Sequence, residues 1–534
     1  MKNIKIYILA FLTLVISLVS CYEDKSIVAD IRYPDLVANM EGEEELVANF
    51  GSLFEYSPQL GVLDGKDTVY LDEAGYEDYM YEWRLALTVS SFDTLTQVIA
   101  KDRNLSLTMD IVQPNSSAYT LILRATNKDT GLSFAYDWDL KVLSDYGQGI
   151  LIAETDDDLE SDISLLMTRA YNENFDENAE DIIHRNTYSK INNSKLSGVV
   201  NEMTYMATSS VKSITALVKG EALYTIDPIT YEPLSNNEQL FFYTPEVFNP
   251  QKIGNYGNGA SYLLNNGVMH YYELRYGMKY SYVPDPPYVF GENMLIIGNS
   301  GSYYFGGHCF GIDQNTNNMV AMDNYGRWKE YPSNETGEFD PANMAGLEMI
   351  YGDIGTDYWG MRRMLMRETA SGKFYVYQLE YIADVGIVGT KIFDLASCDG
   401  IENATSYAFS AAFDEFYYAV GNELRVAILN TPSPSYEVSY ATPLGEDISN
   451  ILIHKFYGKT TWSEEMNDET GEMEPFWRDS ENNVITVASY DAAKGEGFIR
   501  TLPIQYGGRG GIAAEKYVKT YGGFARITAI AYQR

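Results

Sequence analysis

Phe416-Tyr417-Tyr418-Ala419-Val420-Gly421-Asn422-Glu423-Leu424-Arg425-Val426-Ala427 reads as two strands folded about a turn that opens on glycine. Aromatic and aliphatic residues crowd both arms, the composition that a pleated, buried surface favours. The same unit, a glycine, one or two residues and then an apolar-aromatic strand, recurs at Gly220-Glu221-Ala222-Leu223-Tyr224-Thr225-Ile226 and at Gly372-Lys373-Phe374-Tyr375-Val376-Tyr377. A fainter copy is Gly495-Glu496-Gly497-Phe498-Ile499. The intervals are irregular multiples of about 50 residues, which suits four-stranded propeller blades with loops of variable length. Residues 150–534 have room for about seven blades of roughly 55 residues each. The last strand, Ala525-Arg526-Ile527-Thr528-Ala529-Ile530-Ala531-Tyr532, is expected to pair with the start of this region and close a β-propeller. A long array of β-sandwiches is the competing architecture.

The propeller region begins after a turn-rich junction at 144–149, Ser144-Asp145-Tyr146-Gly147-Gln148-Gly149. Ile150 to Glu154 forms a strand, Thr155-Asp156-Asp157-Asp158 an acidic turn, and Asp162 to Met167 the return. The aspartate run lacks the alternation of an EF-hand loop, and a solvated hairpin turn fits it better than a calcium site.

Upstream, residues 27–143 alternate apolar and polar side chains with no helical period, as an all-β domain does. Tyr81-Glu82-Trp83-Arg84-Leu85 places a tryptophan in mid-strand. Tyr119 to Thr126 and Leu132 to Leu143 flank a hairpin turn at Asn127-Lys128-Asp129-Thr130-Gly131. A buried tryptophan on one strand and a tyrosine opening another is the pattern of an immunoglobulin-like sandwich without its disulfide.

At the N-terminus, Lys2 and Lys5 precede an apolar stretch from Ile6 to Val19, the layout of a signal peptide over residues 1–20. It is too short for a spanning helix. It ends in Leu18-Val19-Ser20-Cys21, which resembles the lipobox of bacterial lipoproteins, with Cys21 as the lipidated residue. The following segment, 21–26, carries Tyr22-Glu23-Asp24-Lys25, an acidic tether similar to the surface-export signal of Bacteroidota lipoproteins.

Together, the lipobox, the Tyr-x-Trp and Ala-Tyr-x-Leu strands, the Lys-Asp-Thr-Gly turn and the long β region resemble the PKD-like family of Bacteroidota lipoproteins. The resemblance implies a lipoprotein whose PKD-like domain precedes a propeller-like region. It implies palmitate-type anchoring to the outer membrane, facing the extracellular side, and association with a SusC/SusD-type importer in nutrient uptake. It also implies a non-catalytic role, binding a glycan or peptide or docking on the importer. A propeller-type glycoside hydrolase or lyase is the alternative.

Composition narrows the partners. The 534 residues include 75 acidic against 38 basic ones, a net charge of -37 that opposes nucleic acid and anionic membrane surfaces. No Gly-x-Ser-x-Gly, His-Glu-x-x-His, phosphate-loop or Cys-x-x-Cys motif occurs, and Gly298-Asn299-Ser300-Gly301 misses the first by one position. His184, His270, His308 and His454 lie far apart, and Cys309 and Cys398 read as small buried hydrophobes. Asp323-Asn324-Tyr325-Gly326-Arg327-Trp328 reads as a hairpin turn. No catalytic residue, metal or cofactor is expected on these grounds.

The 45 tyrosines are the unusual count. They are densest between Tyr271 and Tyr288, where Pro284, Pro286 and Pro287 forbid a central strand and imply a rigid loop. Tyr271, Tyr272, Tyr276, Tyr280, Tyr282 and Tyr288 are accordingly the candidate ligand-binding residues, set against the alternative that they pack between blades. Ser302-Tyr303-Tyr304-Phe305 is a weaker candidate of the same kind.

Overall fold

The computed structural model describes residues 35–533, apart from 39–44, 65–66, 91–92, 113–118, 169–170, 172–179, 208–211, 236–238, 257–259, 274–278, 281–287, 294, 297–308, 323–327, 334–335, 355–360, 383–385, 411–412, 454–462, 467–472, 477–483, 505–509 and 513–517. The signal segment, Cys21, Tyr276, Tyr282, the Ser302–Phe305 stretch and residues 323–327 lie outside the described residues. The chain is all-β and divides into two compact units, Met1–Ser144 and Asp145–Arg534.

In the first unit a five-stranded sheet runs, in spatial order, Glu45–Asn49, Ser133–Leu143, Tyr119–Asn127, Tyr79–Ser90 and Asp93–Ala100. Its first two strands are parallel and the rest antiparallel. Leu36–Ala38, Leu60–Asp64 and Asp67–Tyr70 form a second sheet, and Leu53–Tyr56 pairs with Leu105–Thr108. One core collects Leu36, Leu60, Leu105, Trp83, Leu121 and Trp138 from all three. Trp83 and Trp138 lie 5.9 Å apart, and Tyr56 meets both edge-on. The Asn127 turn forms as expected: its Oδ1 accepts from the backbone N–H groups of Asp129 and Thr130, and Gly131 takes a left-handed φ of 72°.

The second unit contains, among the described residues, eight sheets: seven follow one another in chain order, and the eighth pairs only Ser463–Met466 with Met473–Phe476. Sheet one runs Arg526–Gln533, Gly149–Thr155, Glu160–Met167, Ile182–His184, so the C-terminal strand leads a sheet otherwise built from the start of the unit. Sheet two is Glu202–Ala207, Lys212–Val218, Ala222–Ile226, Pro233–Ser235, and sheet three Pro250–Tyr256, Ala260–Asn265, Val268–Glu273. Sheet four is Leu295–Ile296, Cys309–Ile312, Met319–Met322, Trp328–Glu330, and sheet five Leu347–Ile354, Arg362–Glu368, Phe374–Ile382, Gly386–Asp394. Sheet six is Ser406–Phe409, Glu415–Val420, Glu423–Ile428, Tyr436–Ala441, and sheet seven Glu446–Ile453, Val484–Asp491, Glu496–Pro503, Lys519–Phe524.

Neighbouring sheets meet face to face because successive side chains point to opposite sides of a strand. In Arg362–Glu368, Met364 and Met366 pack toward sheet four with Met319 and Phe310, while Leu365 packs toward sheet six with Phe409 and Phe416. Tyr417, one residue on from Phe416, packs the other way, with Ile451 and Val487 of sheet seven. Ala488 and Ile499 of sheet seven share a cluster with Ile150 and Ile152 of sheet one, and Leu151 and Ile163 share another with Tyr205 and Ile214 of sheet two. Sheet seven therefore packs against sheet one. The leading strands are neighbours in the same order, and Arg526–Gln533 lies beside those of both sheet two and sheet seven. Among the described residues no sheet closes on itself; the last packs on the first.

The recurring glycine unit marks the turn between the second and third strands. Gly220, Gly372, Gly421 and Gly495 all have φ between 55° and 79°, the left-handed region that glycine enters without a Cβ penalty. Asp158, Asn266 and Asn317 take the same role in sheets one, three and four. These turns share an end with the connections to the next sheet: Gly220 N–H donates to the Pro250 carbonyl (2.7 Å) and Ile448 N–H to that of Gly421 (2.8 Å). In sheets two to seven the leading strand finishes, and the second strand begins, at the other end.

Candidate functional site

The proline-flanked tyrosines are divided by the structure. Tyr272 and Tyr280 are core residues, 5% and 1% exposed, between sheets two and three, and this corrects the expectation that they display their rings. Their centroids are 4.9 Å apart, and the Tyr280 hydroxyl lies 2.8 Å from Ser261 Oγ. Burial pushes the Tyr272 phenol up to about 12 and that of Tyr280 higher. Alternation places Tyr271 on the opposite face, half-buried against Tyr262 between sheets three and four. Tyr288 is half-buried there too, 5.5 Å from the Trp328 ring, its hydroxyl 3.4 Å from Glu330 Oε1.

What lies over the buried tyrosines is the connection between sheets two and three. Leu240 and Phe241 are buried, and the Phe241 ring meets those of Phe248, His270 and Tyr280 at 6.0, 5.3 and 5.6 Å. Two backbone bonds clip this segment to Tyr280: Tyr280 N–H to the Leu240 carbonyl (2.7 Å) and Phe242 N–H to the Tyr280 carbonyl (3.1 Å). At its far end the buried Asn265 side chain accepts from Asn249 N–H (2.7 Å) and donates to the Val247 carbonyl (2.9 Å). Between these anchors Phe242 and Tyr243 stand 53% and 79% exposed, with Glu246 and Val247 also exposed. Aromatic rings held out from a fixed backbone offer apolar faces at low entropic cost, and Tyr243 adds a hydroxyl. The sequence signal for this site was Phe241-Phe242-Tyr243 ahead of Pro245, an aromatic run that ends in a loop rather than a strand.

The acidic turn and two buried carboxyl groups are satisfied by neighbouring side chains and backbone. Lys195 pairs with Asp156 (2.7 Å) and Arg526 with Asp158, while Asp157 Oδ1 accepts from Leu159 and Glu160 N–H, so the acidic turn is held by its own backbone and two cations. Glu154 and Glu415 are buried, and burial raises both carboxyls above the usual range. Ser164 and Ala525 N–H donate to Glu154, and Tyr417 (2.6 Å) and Gly510 N–H (2.6 Å) to Glu415. Among the described residues no group of three or more His, Cys, Asp or Glu is placed to hold a metal, and no helix is long and apolar enough to cross a membrane.

Cys309 and Cys398 are free and buried, in the clusters between sheets three and four and between sheets five and six. Burial pushes the Cys398 thiol up to about 11 and that of Cys309 further. Because the thiolate is the nucleophile, neither is expected to react with iodoacetamide in the native protein at neutral pH, and both are expected to react once guanidinium unfolds it. Rapid native labelling, read by mass spectrometry, would contradict the packing described.

No family model matches the chain, and no curated protein does. Among solved structures it is similar to a quinonprotein alcohol dehydrogenase-like protein of Bacteroides thetaiotaomicron, with 11% identity over 93% of this chain and 99% of that one and a TM-score of 0.38. PorZ, a bacterial surface component of the type-IX secretion system of Porphyromonas gingivalis, matches over 79% of this chain and 54% of its own, with 11% identity and a TM-score of 0.30. The extracellular domain of a one-component system of B. thetaiotaomicron matches at 8% identity over 90% and 86%, with a TM-score of 0.26.

Proposed function

We propose that this chain is a non-catalytic lipoprotein of the bacterial surface, anchored to the outer membrane through Cys21, that captures a glycan or peptide for a SusC/SusD-type importer. In this reading the first unit is a PKD-like sandwich and the second a seven-bladed propeller. The packing of sheet seven on sheet one and the leading strand supplied by the C-terminus support the propeller reading. The observation that carries the binding role is the exposed Phe242–Tyr243 pair, anchored on both sides by buried side chains.

The test is titration of the mature chain against a panel of polysaccharides and peptides, with product analysis on the same samples. Binding without turnover is expected, and Phe242→Ala/Tyr243→Ala should weaken it at least tenfold, since stacked rings contribute about 0.5–1.5 kcal/mol each beyond their buried area. Turnover would sink the non-catalytic reading. Absence of binding across the panel would sink the capture role.

A further inference from the structure

The end of the second unit at which the leading strands finish holds a polar group that packing does not explain. Arg363, at the start of the second strand of sheet five, is 1% exposed. Its Nε donates to Gln378 Oε1 (3.0 Å) and its Nη2 to Asp414, in the loop after the leading strand of sheet six. Its Nη1 is buried and has no acceptor among the described residues. A buried donor without an acceptor is rare in native proteins, because it has left water with nothing in return.

The surroundings narrow what could complete it. Asp353 and Gln378 are the register partners of Arg363 on its two flanking strands, and Glu380 lies two residues beyond Gln378, so all share its face. Gln378 donates to Glu380, and the Tyr351 hydroxyl donates to Asp353 (2.7 Å). Asp414 faces this group from sheet six, whereas the next residue, Glu415, points with Tyr417 toward sheet seven. One guanidinium among these carboxyl groups disfavours an anionic ligand. An ammonium group has no acceptor to give Nη1. A hydroxyl both accepts and donates, so it can accept a hydrogen bond from Arg363 Nη1 and donate one to Asp414, whose carboxylate is 51% exposed. The strand carrying Arg363 is paired on both sides, so only side chains are presented here, and a peptide held by strand addition has no edge to join.

We propose that Arg363 and Asp414 form a recognition site for the hydroxyl groups of a neutral saccharide, separate from the Phe242–Tyr243 surface. Asp414 is the accessible partner and Arg363 the fixed one.

The experiment is titration of the mature chain with an array of neutral oligosaccharides, their uronic-acid counterparts and peptides, repeated with Asp414→Asn, Arg363→Lys and Phe242→Ala/Tyr243→Ala. A neutral oligosaccharide is expected to bind, and Asp414→Asn to weaken it at least tenfold while the variant still unfolds cooperatively, at a temperature lowered by the loss of the ion pair to buried Arg363. Arg363→Lys, which keeps the charge but loses the planar fork, is expected to act in the same direction. Preference for uronic acids, binding of peptides alone, no binding at all, or neutral binding unchanged in Asp414→Asn would each overturn the assignment. Binding lost only in the Phe242/Tyr243 variant would overturn it too while leaving the proposed capture function intact.

Discussion

Deleting Arg526–Gln533 is expected to abolish the cooperative folding of the second unit while the first unit keeps its own transition. This strand is the leading strand of sheet one, and its loss acts at three places. It exposes the edge of Gly149–Thr155, in which every residue is buried, and an uncovered apolar edge of that length invites pairing with other chains. It removes Ile527 from the cluster shared with sheet seven, and Ala529 and Ala531 from the cluster shared with sheet two. It also removes contacts to Gln533, whose side chain donates to the Tyr146 and Gly147 carbonyls (3.2 and 3.0 Å). Opening two intersheet clusters at once exceeds the margin of about 5–15 kcal/mol by which a domain is stable. Calorimetry of the truncated chain is the measurement. Survival of two transitions near their original temperatures would mean that the sheets do not depend on the C-terminal strand.

Much of this architecture was readable in the sequence, for a definite reason. Gly220, Gly372, Gly421 and Gly495 are punctuation because a left-handed turn residue is required between the second and third strands and glycine fills it most easily. The same turns in sheets one and four use Asp158 and Asn317, which reach the conformation through a short polar side chain and left no glycine to count, while that of sheet three joins Asn266 to Gly267, both left-handed. Which of the candidate tyrosines pack between sheets was illegible for a different reason. Alternation along a strand tells an inner from an outer face only when one face meets water. Here both faces meet another sheet, so Tyr271 and Tyr272 point opposite ways and both pack. Exposure appears instead where the strands stop, at Phe242 and Tyr243. In the first unit the tryptophan of Tyr79–Ser90 was expected in the core and is there, whereas its partner Trp138 was hidden in a strand with charged residues on either side. The Arg363 group was out of reach of sequence, since it joins residues some 50 positions apart through a register that only the folded sheets define.

Arg500→Met is expected to destabilise the second unit by about 3–5 kcal/mol, the cost of leaving a buried charge without its partner. Arg500, on the third strand of sheet seven, and Glu446, at the start of its leading strand, are both nearly inaccessible. Both terminal nitrogens of Arg500 reach the Glu446 carboxylate, and Nη1 also donates to Ser489 Oγ (2.8 Å) on the strand between them. The hydroxyl of Ser489 donates in turn to Glu446. The network thus joins three of the four strands of sheet seven, and the guanidinium lies 5.3 Å from the Phe498 ring. Removing the cation strands the carboxylate where water cannot reach it. Replacing both ends, as in Glu446→Leu/Arg500→Met, removes the stranded charge as well as the attraction, and should recover most of the loss. Urea unfolding of the two single variants and the double variant decides the matter through the interaction energy of the cycle, with an unchanged denaturant slope as the check that the folded state is intact. If Arg500→Met alone cost less than about 1 kcal/mol, the value typical of exposed pairs, the ion pair would have to be open to water. A double variant no more stable than the single would place the value of the network in geometry, with the fork of Arg500 fixing the leading strand of sheet seven beside that of sheet one.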